Sequence, residues 1–314
     1  MSMERTPGLR LAEGVARLLA RLPLSVHYRF ARFLAWLLGS VLRYRRSTVL
    51  INLGRSFPEK DYKEIELIMR AFYRHLADMV AEAVWFGGCR GEKGCERLRR
   101  QHLVEIEGLE EINPLWDRRP GLLLLNSHAG NWELMGGIFE YNYQQPPHYT
   151  LAQTVVLYLR QSSAFWDRFL ADNRLAPVAH KGFEGYVENR SILRYAISHK
   201  NEKRLYIFNT DQYPYGSSAF CNVGLFLNQS TVSMTGGASL AAKFGLGVAY
   251  IRWQCPSRGH YKITLVPLFE DASQHTPEEI MIRYHALLQE DIQAEPWNYL
   301  WTHKRWKNWN ESLG

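Results

Sequence analysis

The sequence GLLLLNSHAGNWE, residues 121–133, contains an unbroken apolar run that is followed at once by polar side chains. A continuous apolar run of this length is typical of a strand buried on both faces, as in parallel sheets. His128 comes directly after the run, and Gly130 permits a tight turn before a helical pattern begins. Binding sites in open α/β sheets form just beyond the carboxyl ends of strands. The stretch therefore predicts a central strand with a site at its end.

Strand-like and helical patterns alternate along the rest of the chain. Strands are predicted at 102–108, 121–127, 148–156, 204–211, 247–255 and 260–268. Helices are predicted at 61–86, 131–141, 158–174, 231–245 and 277–295, and a loop at 87–95. This alternation predicts an α/β fold with a mostly parallel central sheet flanked by helices. Asp211, like His128, is placed at the carboxyl end of a strand.

The N-terminal residues 1–55 differ in charge from the rest of the chain. They contain ten Arg, no Lys and two acids, giving +8, whereas the whole chain carries +7 and the remainder therefore about −1. Apolar residues recur at helical spacing beside these arginines, a pattern typical of a helix lying in a membrane interface. We therefore divide the chain into a basic amphipathic membrane-association segment, 1–55, and an α/β domain, 56–314.

Two other interpretations of the basic segment remain open. An amphipathic helix packed on the domain would show the same pattern. A polyanion-binding arm would account for the arginines, but it would not need so much apolar surface. The longest uncharged stretch, Phe33–Leu42, has ten residues, whereas a membrane span needs about 20. The sequence leaves open whether residues 22–46 span the bilayer or lie on it.

Three histidines are followed five residues later by a glutamate. His102 and Glu107 lie on opposite faces of a predicted strand, and His285 and Glu290 diverge around a predicted helix. Only His128 and Glu133 flank a chain reversal, so we predict that Glu133 holds one ring nitrogen of His128. The other nitrogen would then act as a general base. The alternative, without a catalytic role, is a buried His whose ring nitrogen forms a hydrogen bond with a nearby Glu.

No G-x-S-x-G elbow is present to supply a protein nucleophile. A base without a protein nucleophile indicates that the substrate's own hydroxyl attacks. Cys89 and Cys95 have five residues between them and no second pair of ligands at matching spacing, so they do not form a zinc signature.

The sequence LLLNSHAGNWE resembles the H-x-x-x-x-D/E box of the lysophospholipid acyltransferase superfamily. Its H-x-G-N-W-E form resembles the bacterial lipid A late-acyltransferase branch, which adds secondary acyl chains to a lipid A precursor. Further segments similar to that branch are RRSTVLINLGRSFPEK (45–60), DNRLAPVAHKG (172–182), FNTDQ (208–212), TGGASLAAKFGLGVAYI (235–251) and PWNYLWTHKRWK (296–307). The segments are specific in combination and extend along nearly the whole chain.

The resemblance implies transfer of a fatty acyl chain from a thioester of acyl-carrier protein or coenzyme A to a lipid hydroxyl. It implies His128 as the base and Glu133 as its orienting partner, with no metal or redox cofactor. Asn131 and backbone amides of the turn are candidates for stabilising the oxyanion. Arg174 would contact a phosphate or the oxyanion, or else form a surface salt bridge. Asp211 and Gln212 would shape the substrate site or cap the next element.

The resemblance also implies partners and a location. The acceptor would be a lipid A precursor, with a phospholipid, glycolipid or aminolipid as alternatives. A non-catalytic lipid or polyanion binder is the remaining alternative. Acyl-carrier protein and an anionic membrane surface are expected partners, and nucleic acid is not. The expected location is the cytoplasmic face of the bacterial inner membrane, with the basic segment bound peripherally or inserted shallowly.

Overall fold

Ten strands are present in the computed structural model, which describes residues 14–216 and 218–307. The first 13 residues of the predicted basic segment lie outside the described residues. The strands are β1 Val104–Glu107, β2 Gly121–Asn126, β3 Asn142–Tyr143, β4 Thr154–Tyr158, β5 Tyr186–Glu188, β6 Arg204–Asn209, β7 Phe220–Phe226, β8 Gln229–Met234, β9 Gly247–Ser257 and β10 His260–Phe269. Eight of them form the central sheet in the order β3-β1-β10-β9-β2-β6-β4-β5, and β7 and β8 form a separate hairpin.

Helices flank this sheet. They are α1 Leu24–Trp36, α2 Arg46–Ser56, α3 Tyr62–Phe86, α4 Gly91–Gln101, α5 Leu109–Arg118, α6 Ala164–Arg174, α7 Ile192–Ser198, α8 Gly236–Phe244 and α9 Pro277–Ala294. Capping boxes begin two of the long helices, Asp61 with Glu64 at α3 and Thr276 with Glu279 at α9.

Strand β2 lies near the middle of the sheet, and all six of its residues are buried. It pairs in parallel with β6 on one side and β9 on the other. Every pairing in this sheet is parallel except that of β9 with β10, which joins two oppositely directed blocks of strands. The predicted α/β class with a mostly parallel sheet is confirmed.

The strand predicted at 148–156 starts only at Thr154, and the helix predicted at 158–174 starts only at Ala164. Three further predicted elements differ in type. Residues 87–95 were expected to form a loop, but α4 starts at Gly91 because Cys95 and Leu98 are buried on its inner face. The helix expected over 231–245 is a strand up to Met234, with alternating burial, and only then a helix. The helix expected over 131–141 is a 3₁₀ segment, Trp132–Glu140.

The N-terminal helices pack on the α/β body. Ala31 of α1 meets Ala77 and Ala81 of α3, and these small side chains let the two helices approach closely. Helix α2 buries Val49 and Leu53 in the same apolar core as the sheet. Among the helices of the described residues, none has the length and apolar character needed to cross a bilayer.

The segment 295–307 follows α9 without a helix or a regular strand and returns to α2 and to the turn after β2. Asn52 of α2 donates from its amide nitrogen to the carbonyl oxygens of Trp301, at 2.8 Å, and His303, at 2.9 Å. Ala129 forms an isolated bridge with Tyr299. The segment therefore connects the N-terminal helices to the turn that follows β2.

Candidate active site

The side chains of His128 and Asp211 meet at one edge of the sheet. The neighbouring parallel strands β2 and β6 end in register at Asn126 and Asn209, and each site residue lies two positions further on. Nδ1 of His128 is 2.7 Å from Oδ1 of Asp211. A neutral imidazole facing a carboxylate in this way carries its proton on Nδ1, which leaves Nε2 as the basic nitrogen.

Asp211 is buried, with 2 % of the residue exposed. Burial by itself raises the pKa of this carboxyl group, but the charge and hydrogen bond of His128, together with backbone amides, lower it to about 2. The carboxylate is therefore ionised at any physiological pH. An ionised partner stabilises the imidazolium form of His128 when it accepts a proton.

The other side of the imidazole faces a polar amide and an aromatic ring. The side-chain nitrogen of Gln212 lies 3.1 Å from Nε2 of His128. The ring of Trp132 packs edge-on against the imidazole, with 4.8 Å between centroids. The imidazole is thus fixed on both sides, with 14 % of the side chain exposed.

Glu133 does not contact His128 through a hydrogen bond, and the predicted pairing of these two residues is wrong. Its carboxylate accepts two hydrogen bonds from Arg174, at 2.7 Å from Nε and 2.6 Å from one terminal nitrogen. Trp132 donates a third from its indole nitrogen. The 3₁₀ segment that starts at Trp132 carries Glu133 to Arg174, while Asp211 occupies Nδ1 of His128.

Arg174 is the C-terminal residue of α6, and Glu133 holds it in place. Burial by itself lowers the pKa of this guanidinium, but Glu133 raises the pKa well above its ordinary value, so the group stays charged. The third nitrogen is 3.4 Å from the hydroxyl of Tyr186. The result is a guanidinium with one edge bound to a carboxylate, an arrangement that can present its remaining edge to an anionic group.

Asn131 lies outside this group of side chains. It is completely buried, and its amide nitrogen donates to Oε2 of Glu82 at 2.8 Å and to the carbonyl of Met79 at 3.3 Å. Both acceptors belong to α3, behind the turn. The structure therefore does not bring the side chain of Asn131, a predicted oxyanion donor, into the cavity at His128, because its amide nitrogen is bound to α3.

A cavity of about 210 Å³ opens in front of His128. His128, Glu133, Arg174 and Gln212 lie in its wall. Most of the remaining lining is apolar or aromatic: Trp132, Met135, Ile138, Phe139, Leu151, Val156, Leu157, Tyr158, Leu159, Leu175, Val178, Phe183, Tyr186, Ile207 and Met234. The site thus combines a basic nitrogen and a cation at the wall with an apolar volume suited to a hydrocarbon chain.

The sequence model of the bacterial lipid A biosynthesis acyltransferase family matches residues 3–308. The chain belongs to this family. A search of curated proteins found no match. As a lipid A biosynthesis acyltransferase, the protein is an enzyme that transfers acyl groups on lipid A-type substrates. This agrees with the base and the apolar cavity described above.

Two residues, one in the site of this acyltransferase and one behind it, carry no signal in the sequence. Tyr186 touches Arg174 and stacks on Tyr158 with 4.1 Å between ring centroids. Glu82 lies in the last turns of α3, and its sequence pattern is that of any other polar position in an amphipathic helix. In residues 14–216 and 218–307, no group of three or more His, Cys, Asp or Glu side chains is arranged to hold a metal ion.

The turn that carries His128 in this acyltransferase depends on Gly130. Its φ is +62°, and its backbone N–H donates to Oδ1 of Asn298 at 2.9 Å. A Cβ at this position would overlap the ring of Trp253, which is itself buried and donates to Asn126. Only glycine avoids both the left-handed strain and the steric overlap.

We expect Gly130→Ala to lower the free energy of unfolding by about 2–4 kcal/mol, since strain and overpacking add. Urea unfolding measures this. Gly54→Ala is the control, because Gly54 lies in α2 and no described atom would be within 4 Å of the added carbon. That control should be neutral or slightly stabilising. Equal stabilities for the two variants would contradict the account of the turn.

Proposed function

We propose that the protein transfers a fatty acyl chain from a thioester donor to a hydroxyl of a lipid A precursor at an anionic membrane surface. The observation that carries the proposal is the basic Nε2 of His128, backed by Asp211, at the wall of an apolar cavity. The donor is a thioester of acyl-carrier protein, with coenzyme A as the alternative carrier. Acyl-carrier protein would bind as a partner protein during transfer.

In the proposed reaction, His128 Nε2 removes the proton of the acceptor hydroxyl while the oxygen attacks the thioester carbonyl. Asp211 stabilises the imidazolium that forms. The tetrahedral intermediate then collapses, the carbon–sulfur bond breaks, and the imidazolium returns its proton to the leaving thiolate. The products are an ester and a free thiol, so atoms and charge balance without a further reactant. Gln212 must yield Nε2 to the incoming hydroxyl, because its amide nitrogen lies within hydrogen-bond distance of that nitrogen.

Arg174 supplies positive charge close to the reacting atoms. A guanidinium is always charged at physiological pH, and the hydrogen bonds to Glu133 favour the charged form further. A phosphate of the acceptor and the oxyanion of the intermediate are both anions that a planar guanidinium binds well. Arg174, Tyr186 and His128 line the same cavity, so such a group would be held in the cavity that contains the base.

The N-terminal helices support association with a membrane surface. Phe30, Phe33 and Trp36 of α1 are 62 %, 58 % and 55 % exposed, and Leu42 follows at 62 %. The exposed arginines Arg29, Arg32 and Arg43 lie among them. Large exposed apolar residues mixed with basic side chains fit the interface of an anionic bilayer. We place the protein on the cytoplasmic face of the bacterial inner membrane, where its lipid acceptor would lie.

We expect the double substitution Phe30→Ser and Trp36→Ser to weaken sedimentation with vesicles containing anionic phospholipid, by about tenfold in partition coefficient or more. Leu67→Ser is the matched control, since Leu67 is 65 % exposed but lies on α3. Raising the salt concentration should weaken binding of all three proteins. Equal partitioning of the double variant and wild type would show that α1 is not part of the membrane contact.

The experiment that tests the function is transfer in vitro. Purified protein is incubated in detergent micelles with a lipid A precursor and either acyl-carrier protein thioesters or coenzyme A thioesters of several chain lengths. Mass spectrometry then follows the acceptor. A mass increase of one acyl group on the lipid A precursor is the expected result. Transfer only to a phospholipid would overturn the proposed acceptor, and transfer to neither would overturn the proposed reaction.

A further inference from the structure

Glu82 of α3 is a buried carboxyl group that connects three distant parts of the chain. None of the residue is exposed to solvent. Its Oε1 accepts a hydrogen bond from the hydroxyl of Tyr28 in α1 at 2.7 Å. Its Oε2 accepts from the amide of Asn131 at 2.8 Å and from the hydroxyl of Tyr261 in β10 at 2.7 Å. One carboxylate thus joins the N-terminal helix, the sheet and the turn that carries His128.

Tyr28 is held tightly on the α1 side of this link. The guanidinium of Arg258 lies over its ring at 4.4 Å and donates to its backbone carbonyl at 3.0 Å. Arg258 is fixed in turn by two hydrogen bonds to Asp78. A Cβ at Gly259 would overlap the Tyr28 hydroxyl, so the phenol also fits closely against the backbone there. Tyr28 therefore occupies this position only when α1 is packed against the rest of the protein.

Asn131 forms the other side of the link. It follows His128 by three residues and directly precedes Trp132, whose ring packs on the imidazole. Its amide nitrogen bonds only to α3, through Glu82 and the carbonyl of Met79. Because Gly130 permits several backbone conformations, an anchor on each side is needed to fix the turn. Asn298 supplies one at Gly130, and Glu82 supplies the other at Asn131.

A carboxylate is a costly choice for this position. Burial raises the pKa of Glu82 to about 7, although its three hydrogen bonds act to lower it. Within the described residues no Lys, Arg or His forms an ion pair with it. Removing an unpaired carboxylate from water costs far more than burying an apolar side chain of similar size. The two oxygens of Glu82 accept hydrogen bonds from α1, from β10 and from the His128 turn. An apolar side chain could not hold these three elements together in this way.

We propose that Glu82 is a positioning residue for acyl transfer, and that it makes the geometry of the His128 turn depend on the docking of α1. The inference rests on the proposed function, in which His128 is the base. Helix α1 carries the exposed apolar face assigned to the membrane. When Tyr28 is in place, Glu82 is held so that both of its oxygens are oriented, and Asn131 is fixed. When α1 is displaced, Oε1 loses its partner and the turn loosens.

The first test is kinetic, with Glu82→Gln, Asn131→Leu and the double variant. A glutamine has a single acceptor oxygen, so it cannot accept hydrogen bonds at both of the positions that Oε1 and Oε2 now occupy. We expect each single variant to lower kcat by about 10- to 100-fold, since small displacements of a catalytic group have effects of this size. KM for both substrates should change little. The double variant should have a kcat no lower than that of the poorer single variant, because both substitutions break the same link between Glu82 and Asn131.

The control is Asp291→Asn. Asp291 is another largely buried carboxylate that accepts from a tyrosine hydroxyl, that of Tyr250 at 2.7 Å, and it contacts neither α1 nor the turn. It should lose thermal stability while keeping kcat within about twofold of wild type. Multiplying effects in the double variant, or a kcat of Glu82→Gln equal to that of Asp291→Asn, would overturn the positioning role.

Amide hydrogen exchange provides a measurement that does not depend on activity. Tyr28→Phe removes only the α1 side of the link and is the second variant if Glu82→Gln does not fold. It should speed exchange both in residues 24–36 and in residues 127–133, whereas Asp291→Asn should affect neither. Faster exchange in 24–36 alone would overturn the coupling. If wild type transfers no acyl group, the proposed function fails, and the exchange result by itself decides whether Glu82 positions the turn.

Discussion

His128→Gln should lower kcat for acyl transfer by about 10⁴-fold or more, because glutamine fills a similar volume but cannot accept the hydroxyl proton. The loss should fall on kcat and on kcat/KM alike, since the proton moves only in the transition state. The measurement is the initial rate of acylation of the lipid A precursor, read by mass spectrometry under saturating donor and acceptor. The melting temperature should stay close to that of wild type.

The control for this prediction is His102→Gln. His102 has a glutamate at the same spacing in the sequence, but it is exposed and its ring contacts Asn142 far along the sheet edge from β2. Its substitution should leave kcat within about twofold of wild type. A His128→Gln enzyme that keeps a tenth of wild-type activity would show that another group is the base.

Asp211→Asn should lower kcat on the order of 10³-fold, the second largest effect. An asparagine can turn its N–H toward the imidazole and so reverse the tautomer, leaving the proton on Nε2 where the base is needed. The pKa of about 2 means that Asp211 stays ionised through the working range, so no limb of the wild-type pH–rate profile above pH 4 should belong to it. Because the pKa of Asp211 is lowered in the folded protein, its ionisation stabilises the fold at pH values above the ordinary pKa of 3.8. This stabilisation is lost as the pH falls through 2.

Glu133→Gln is the informative comparison, because the structure links Glu133 to Arg174 and not to His128. The defects of Glu133→Gln and Arg174→Gln should overlap, so that the double variant is little worse than the poorer single variant. Combining Glu133→Gln with Asp211→Asn should multiply the two losses. If Glu133→Gln and Asp211→Asn instead failed to multiply, both carboxylates would act through His128, contrary to the observed hydrogen bonds.

The local parts of the site could be predicted from the sequence, because they depend on short-range patterns. The leucines of 122–125 specify a strand buried on both faces, and that strand places His128 at its carboxyl end. Asp211 was placed at a strand end by the same reasoning. What the sequence could not show is that β2 and β6 are neighbours, since strand order depends on packing across the whole sheet. Spacing alone therefore favoured Glu133 over a partner 83 residues away.

The β7–β8 hairpin was missed for a different physical reason. Its turn uses Leu227 and Asn228 with φ of 50° and 61°. Two-residue hairpin turns of this kind are usually recognised by Asn-Gly or Asp-Gly, and leucine is a poor residue for the left-handed region. The turn is held instead by long-range bonds, from Leu227 N–H to Gln289 at 2.7 Å and from the Asn228 amide to the Ser56 carbonyl at 3.0 Å. Those partners are invisible to a local pattern.

The return of residues 295–307 across the site also has a consequence for biosynthesis. The chain emerges from the ribosome in order, so α1, α2 and the His128 turn are made before the segment 295–307. Asn298, which accepts from Gly130, and Trp301 and His303, which accept from Asn52, are therefore not yet present when these earlier elements emerge. The turn that carries His128 gains these bonds only after residues 298–303 have been made.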